Sequence, residues 1–73
     1  MSRAAVIGEE LRVQGYALAG ALVCAADDGA SARRAWRALP ADVAVVVLTA
    51  TAAGWLDDEL TRRPELLTAV MPG

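Results

Sequence analysis

The sequence predicts a small α/β domain built on a four-stranded parallel sheet with helices on both faces. Three observations point there. Residues 4–20, AAVIGEELRVQGYALAG, read as a short apolar strand that passes through Gly8-Glu9-Glu10 directly into a helix, the opening unit of a parallel sheet. Strand-like and helix-like segments then alternate along the whole chain. Residues 43–49, VAVVVLT, form a continuous, β-branched apolar run, as expected of a strand buried on both faces.

The elements follow in order. Residues 4–7 are the first strand. In residues 10–20 the apolar or small side chains Val13, Tyr16, Ala17 and Gly20 recur at i, i+3, i+4 and i+7, one face of a helix. Gly15 and Gly20 cost this helix about 1 kcal/mol each relative to Ala, and Gly20 is a candidate for its end. Residues 22–26 are the second strand. Asp27-Asp28-Gly29 is a turn, and Asp28 or Ser31 caps the helix that follows. Ala32, Ala35, Trp36 and Leu39 repeat the helical spacing, Arg33, Arg34 and Arg37 take the other face, and Pro40 stops the helix. After the strand at 43–49, Thr51 is read as the cap of a third helix with Ala52, Trp55, Leu56 and Leu60 on its inner face. Arg62 and Arg63 close it, complementing the helix dipole, and Pro64 ends it. Residues 66–71 are the last strand.

Right-handed crossovers between parallel strands give the flavodoxin-like order 2-1-3-4. In that order the first helix covers one sheet face and the other two helices cover the opposite one. The first face is left half open over the third and fourth strands. A complete flavodoxin-like domain closes it with a C-terminal helix, whereas these residues stop at Gly73. The expectation is that a partner, or a second copy, covers the open half.

Composition narrows the function classes. The 73 residues suit one domain, which buries only about 60% of the surface its unfolded chain exposes. Domains of this size draw on a staple, a metal or a partner. Cys24 is the only cysteine and there is no histidine, so neither a disulfide within the chain nor a zinc site is available. A partner is the expected source of added stability. The formal charge of −2, with seven basic and nine acidic residues, argues against nucleic acid or an anionic membrane as ligand. All the basic residues are arginine. No apolar run is long enough to span a bilayer, no signal-peptide pattern opens the chain, and a lone cysteine fits a reducing cytoplasm.

Catalytic and cofactor signatures are missing from the pattern. Gly8 and Gly15 do not make a G-x-G-x-x-G fingerprint, and there is no phosphate-binding G-x-x-x-x-G-K-[ST] loop. Cys24 falls inside a strand with no histidine to activate it, so it reads as a small buried hydrophobe. Ser2 and Ser31 are poorly placed for nucleophilic work. No catalytic, metal-binding or cofactor-binding residue is therefore assigned. Trp36 and Trp55 sit at core positions of their helices. Arg33, Arg34 and Arg37 read as a solvated face, with ion pairing to an acidic partner as the alternative.

The first helix carries a more specific pattern. AVIGEELRVQGYALAG resembles the N-terminal signature of the F-subunits of V-type and archaeal A-type rotary ATPases: a hydrophobic strand, Ile-Gly-Asp, a short acidic segment, then Gly-Phe-x-Leu-Ala-Gly. Val6, Ile7, Gly8, Gly15, Leu18, Ala19 and Gly20 match, while Glu9 replaces the Asp and Tyr16 the Phe. VVVLTATAAGWLDDEL is similar to the family's later strand, threonine and helix. TAVMPG is similar to its last strand and Ile-Pro-Gly, with Met71 in place of the Ile. Family members commonly continue into a linker and a C-terminal helix that inserts towards the nucleotide-hydrolysing head, and these residues include no such helix.

The resemblance implies a non-catalytic central-stalk (rotor) component without cofactors, cytoplasmic and peripheral to the membrane through its complex. Such a component docks on the coiled-coil central-stalk subunit of the ATPase and helps couple ATP hydrolysis or synthesis to ion transport. The candidate partner-binding residues are Glu9, Glu10, Gly15, Tyr16 and Ala19. For Glu9 and Glu10 the other reading is a solvated loop favouring the helix N-terminus. For the small residues it is close packing of the helix on its own sheet. The alternative function is a stand-alone, receiver-like interaction module that homodimerises. Leu48-Thr49-Ala50 where the acceptor Asp would stand, and the absence of Lys, argue against receiver phosphorylation chemistry itself.

Overall fold

The computed structural model describes residues 3–15 and 20–71. Its elements run β1 (Arg3–Gly8), α1 (Glu10–Val13), β2 (Leu22–Ala25), α2 (Gly29–Arg37), β3 (Val43–Leu48), α3 (Ala50–Trp55), α4 (Asp57–Leu60) and β4 (Leu67–Val70). The four strands form one sheet in the order β2-β1-β3-β4, and every pairing is parallel. The predicted class and strand order hold, and no strand end shifts by more than one residue.

Alternation within each strand divides the sheet into two faces. Ala5 and Ile7 of β1 align with Val46 and Leu48 of β3. All four are buried in one cluster with Ala32, Trp36 and Leu39, from α2 and just beyond it, and with Ala52 and Leu56. This is the main core, and α2 and α3 pack together over it. Val6 points the other way, where it and Val13 are each about 1% exposed. α1 packs on β1 and β2 there. Fully burying a side chain of this size contributes about 1.5–3 kcal/mol, so Leu48, Leu56 and Trp36 are the principal anchors of the helical layer.

Helix α2 starts where the turn residues predict. Asp28 is its N-cap, accepting from the Ser31 backbone N–H at 2.7 Å, while the Ser31 hydroxyl reaches back to the Asp28 N–H. Both predicted capping residues thus act together in a capping box. At its C-terminal end the Arg63 guanidinium lies 5.6 Å from the Trp36 ring centroid and donates to the Trp36 carbonyl at 3.1 Å. Arg63 therefore serves the end of α2 rather than the end of its own helical segment.

Three expectations need correction. The third helix is divided into α3 and α4 at Leu56, which leaves helical geometry at φ −102° and ψ 9°; the structure has four short helices among the described residues. Its cap is Thr49, whose hydroxyl accepts from the Ala52 N–H at 3.2 Å, because β3 ends one residue earlier than expected and the helix begins at Ala50. Arg37 is not a free surface cation: it donates to Glu59 at 2.6 Å, tying α2 to α4. Of the predicted first helix, Glu10–Val13 is helical, and residues 16–19 lie outside the described residues. Gly20 has φ +83°, the left-handed conformation that favours glycine.

Candidate functional site

In an open α/β sheet, ligands settle beyond the carboxyl ends of the strands where the order reverses. Here that point lies between β1 and β3, bounded by Gly8, Glu9 and Thr49. The end of β1 is bonded to both neighbouring strand ends: the Thr49 N–H, after β3, donates to the Ile7 carbonyl at 3.1 Å, and the Ala26 N–H, after β2, donates to that of Gly8 at 2.9 Å. A methyl group on Gly8 would overlap Thr49 Cγ2 and lie 2.6 Å from its Oγ1. Glycine is needed at this position for close approach, not for an unusual dihedral angle.

The Thr49 side chain is buried and its hydroxyl donates to the Glu9 carboxylate. This bond is the chief reason the Glu9 carboxyl lies below the usual carboxylate range. Its own backbone N–H, the Thr51 hydroxyl and Arg12 act in the same direction, and partial desolvation opposes them. Arg12 stands 3.8 Å from Glu9. The crevice is thus occupied by the protein's own side chains. No cavity opens among the described residues, and no group of three or more metal-ligating side chains gathers among them.

The other candidate surface is the sheet face beyond α1. Val45 pairs with Leu67 and Val47 with Ala69, and these four residues point to the α1 side of the sheet. Val45 and Val47 are only partly buried, Ala69 is exposed, and Leu67 is 69% exposed. On α1 itself Leu11 is 86% exposed. This is the half-open face expected from the strand order. Sequence reasoning missed the individual residues that make it, although the unbroken apolar run at 43–48 carries the signal.

The sequence-predicted partner residues fall unevenly. Glu9 is half-buried and spent on Thr49, whereas Glu10 beside it is exposed. Gly15 is exposed, and a methyl group built on it meets nothing within 4 Å; it does not serve close packing of α1 on its own sheet. Tyr16 and Ala19 lie outside the described residues. Of the arginines read as a patch, Arg33 and Arg34 are exposed on α2. Cys24 is partly buried against the main core, and burial pushes its thiol pKa up, the behaviour of a packing residue.

Fold and site together define a flavodoxin-like α/β domain in which Thr49 and Glu9 meet at the switch point and the sheet face beyond α1 is apolar and, among the described residues, only partly covered. Comparison with known proteins adds no relative: no family model, no curated protein and no solved structure matches the chain.

Proposed function

We propose that this domain is a non-catalytic docking component, and that its partner is the coiled-coil stalk subunit of a V/A-type rotary ATPase. In that role it stiffens the central rotor that couples ATP hydrolysis or synthesis to ion movement. The single observation that carries the docking reading is the partly exposed apolar strip of Val45, Val47, Leu67 and Ala69, set beside a switch point where the Thr49 hydroxyl and the Glu9 carboxylate bond to each other. A strip of apolar side chains flanked by a short helix suits the apolar stripe of a partner helix. The particular partner comes from the resemblance of residues 5–20 to the signature of the small globular stalk component of those ATPases. No helix among the described residues is long and apolar enough to cross a membrane, which suits a peripheral position.

Co-expression with a coiled-coil stalk subunit, and then sizing, tests the reading. A one-to-one complex that is weakened by Leu67→Asp and by Gly15→Leu supports it. A complex indifferent to both substitutions moves the interface elsewhere, and no complex at all removes the stalk reading. A second reading, the stand-alone homodimerising module, is favoured by one observation of its own, the exposed edge of β4.

A further inference from the structure

Strand β4 is an edge of the sheet, and all four of its residues are exposed. Leu67 and Val70, at 69% and 54% exposed, are two of the three large apolar side chains most open to solvent among the described residues. From Leu66 to the end of the sequence there is no charged residue. Natural edge strands are protected by being very short, by charge, by proline within the strand, by a bulge or by a covering element. β4 has four residues, and this shortness is the one such device present within it; no helix among the described residues covers it on either face.

The hydrogen-bond pattern shows which backbone groups this edge offers. The Met71 N–H donates to the Leu48 carbonyl at 2.8 Å. Peptide groups alternate direction along a strand, so those of Leu67 and Ala69 also turn towards β3. Those of Thr68 and Val70 turn outward. Each of these two residues presents one N–H and one C=O at the edge.

We propose that β4 is a self-pairing edge, through which two copies of this chain join antiparallel about a two-fold axis at Ala69. In this register Thr68 of each copy lies opposite Val70 of the other, and every outward N–H and C=O of both residues gains a partner. The opposed residues point to the same sheet face, as pairing within one continuous sheet requires. The small Ala69 meets its own counterpart at the axis, and Leu67 lies opposite Met71 of the second copy. Because the segment is uncharged, the copies meet here without the like-charge repulsion that opposed charges impose. That self-complementarity is the argument for a second copy over an unrelated strand. A coiled coil offers no strand, so this inference does not rest on the stalk reading. Pairing of one short strand buries little surface, so the dimer belongs to the weak, concentration-dependent class.

The test is cross-linking of Ala69→Cys in a Cys24→Ala background, combined with sedimentation of the Cys24→Ala chain from about 10 μM to 1 mM. Ala69 occupies a non-hydrogen-bonded pair, where opposed side chains come closest. Mild oxidation is expected to yield a covalent dimer from Ala69→Cys. Thr68→Cys mixed with Val70→Cys is expected to give the mixed dimer in preference to either self-linked product. Thr68→Pro removes an outward N–H and none that bonds β3, a position an edge strand tolerates. It is expected to keep the far-UV circular dichroism and weaken association at least tenfold. A chain that sediments as a monomer throughout the range overturns the proposal. So does a dimer in which wild-type chains oxidise through Cys24 while Ala69→Cys does not link, which would assign pairing to the β2 edge.

Discussion

The Thr49 hydroxyl donates to the Glu9 carboxylate across the junction of β1 and β3, and it accepts from the Ala52 N–H at the start of α3. One buried side chain therefore closes the strand ends and starts a helix. Thr49→Val keeps the shape and deletes the hydroxyl. It is expected to cost about 1–2 kcal/mol, the usual worth of a lost N-cap, with a lower urea midpoint and an unchanged slope. Thr49→Ser keeps the hydroxyl and should recover most of that loss. A Thr49→Ser variant as unstable as Thr49→Val would show that the retained hydroxyl does not recover the loss, and would overturn the assignment to the hydrogen bonds.

Gly8 faces the same side chain. Gly8→Ala forces Thr49 to move, since the new methyl would overlap it. Overpacking of this kind costs about 1–3 kcal/mol. The double variant Gly8→Ala, Thr49→Ser removes Cγ2 and is expected to be less destabilised than the sum of the two single changes. Simple additivity in denaturant titrations would show that the two positions do not compete for space.

Acid should weaken the fold through three carboxylates. Glu9 is held low by Thr49, Asp28 by the Ser31 N–H and hydroxyl, and Asp42 by the Arg3 guanidinium, which approaches it to 2.6 Å. A group with a lower pKa in the folded state leaves the unfolded chain binding more protons. Its stabilisation is complete above the unfolded carboxyl value of about 4 and is lost as pH falls through the folded value. Stability is thus expected to fall below about pH 5. Asp28→Ala should make that fall shallower while lowering stability at pH 7. An unchanged acid limb would remove Asp28 from the account.

How far these features were legible depends on range. The capping box at Asp28 and Ser31 and the core face Ala32, Trp36 and Leu39 follow from local spacing, which sequence carries directly, and the strand order follows from the alternation of strands and helices with the handedness of their crossovers. The split at Leu56 was not legible, because the inner face Ala52, Trp55, Leu56 and Leu60 keeps helical spacing through it. Thr51 was a plausible cap by type, and only the end of β3 decides for Thr49. The pairs Arg37–Glu59 and Glu9–Thr49 join residues 22 and 40 positions apart, and no local pattern links them. The open face was predictable from topology, but the exposure of Leu67 was not.

The arginines of α2 should separate by what they touch. Glu59 is a buried carboxylate, 9% exposed, whose hydrogen bonds come from Arg37. Arg37→Ala leaves that acceptor without its partner, a change that costs about 1–3 kcal/mol. Arg33→Ala and Arg34→Ala remove exposed side chains and should stay within about 0.5 kcal/mol of wild type. Arg37→Ala combined with Glu59→Leu should regain part of the loss, since an apolar replacement of both partners removes the unpaired charge. Equal effects at all three arginines in thermal unfolding would mean that the ion pair does not hold α2 to α4.

Leu67 and Leu48 allow the docking surface to be separated from the fold. Leu48 is fully buried in the main core and Leu67 is 69% exposed on the strand beside it. Leu48→Ala is expected to cost about 2–5 kcal/mol, and any loss of binding it causes is confounded with unfolding. Leu67→Asp changes a side chain that is largely in water already, so its cost should stay near 0.5 kcal/mol. If the strip of Val45, Val47, Leu67 and Ala69 is where a helical partner lies, that same change places a carboxylate in an apolar contact and should weaken the complex at least tenfold. Titration of a coiled-coil stalk subunit into wild-type and Leu67→Asp protein, with thermal unfolding of each measured in parallel, gives both quantities. Undiminished affinity in a folded Leu67→Asp variant would move the contact off this face and leave the exposed surface of α1, from Glu10 to Leu11, as the place to look next.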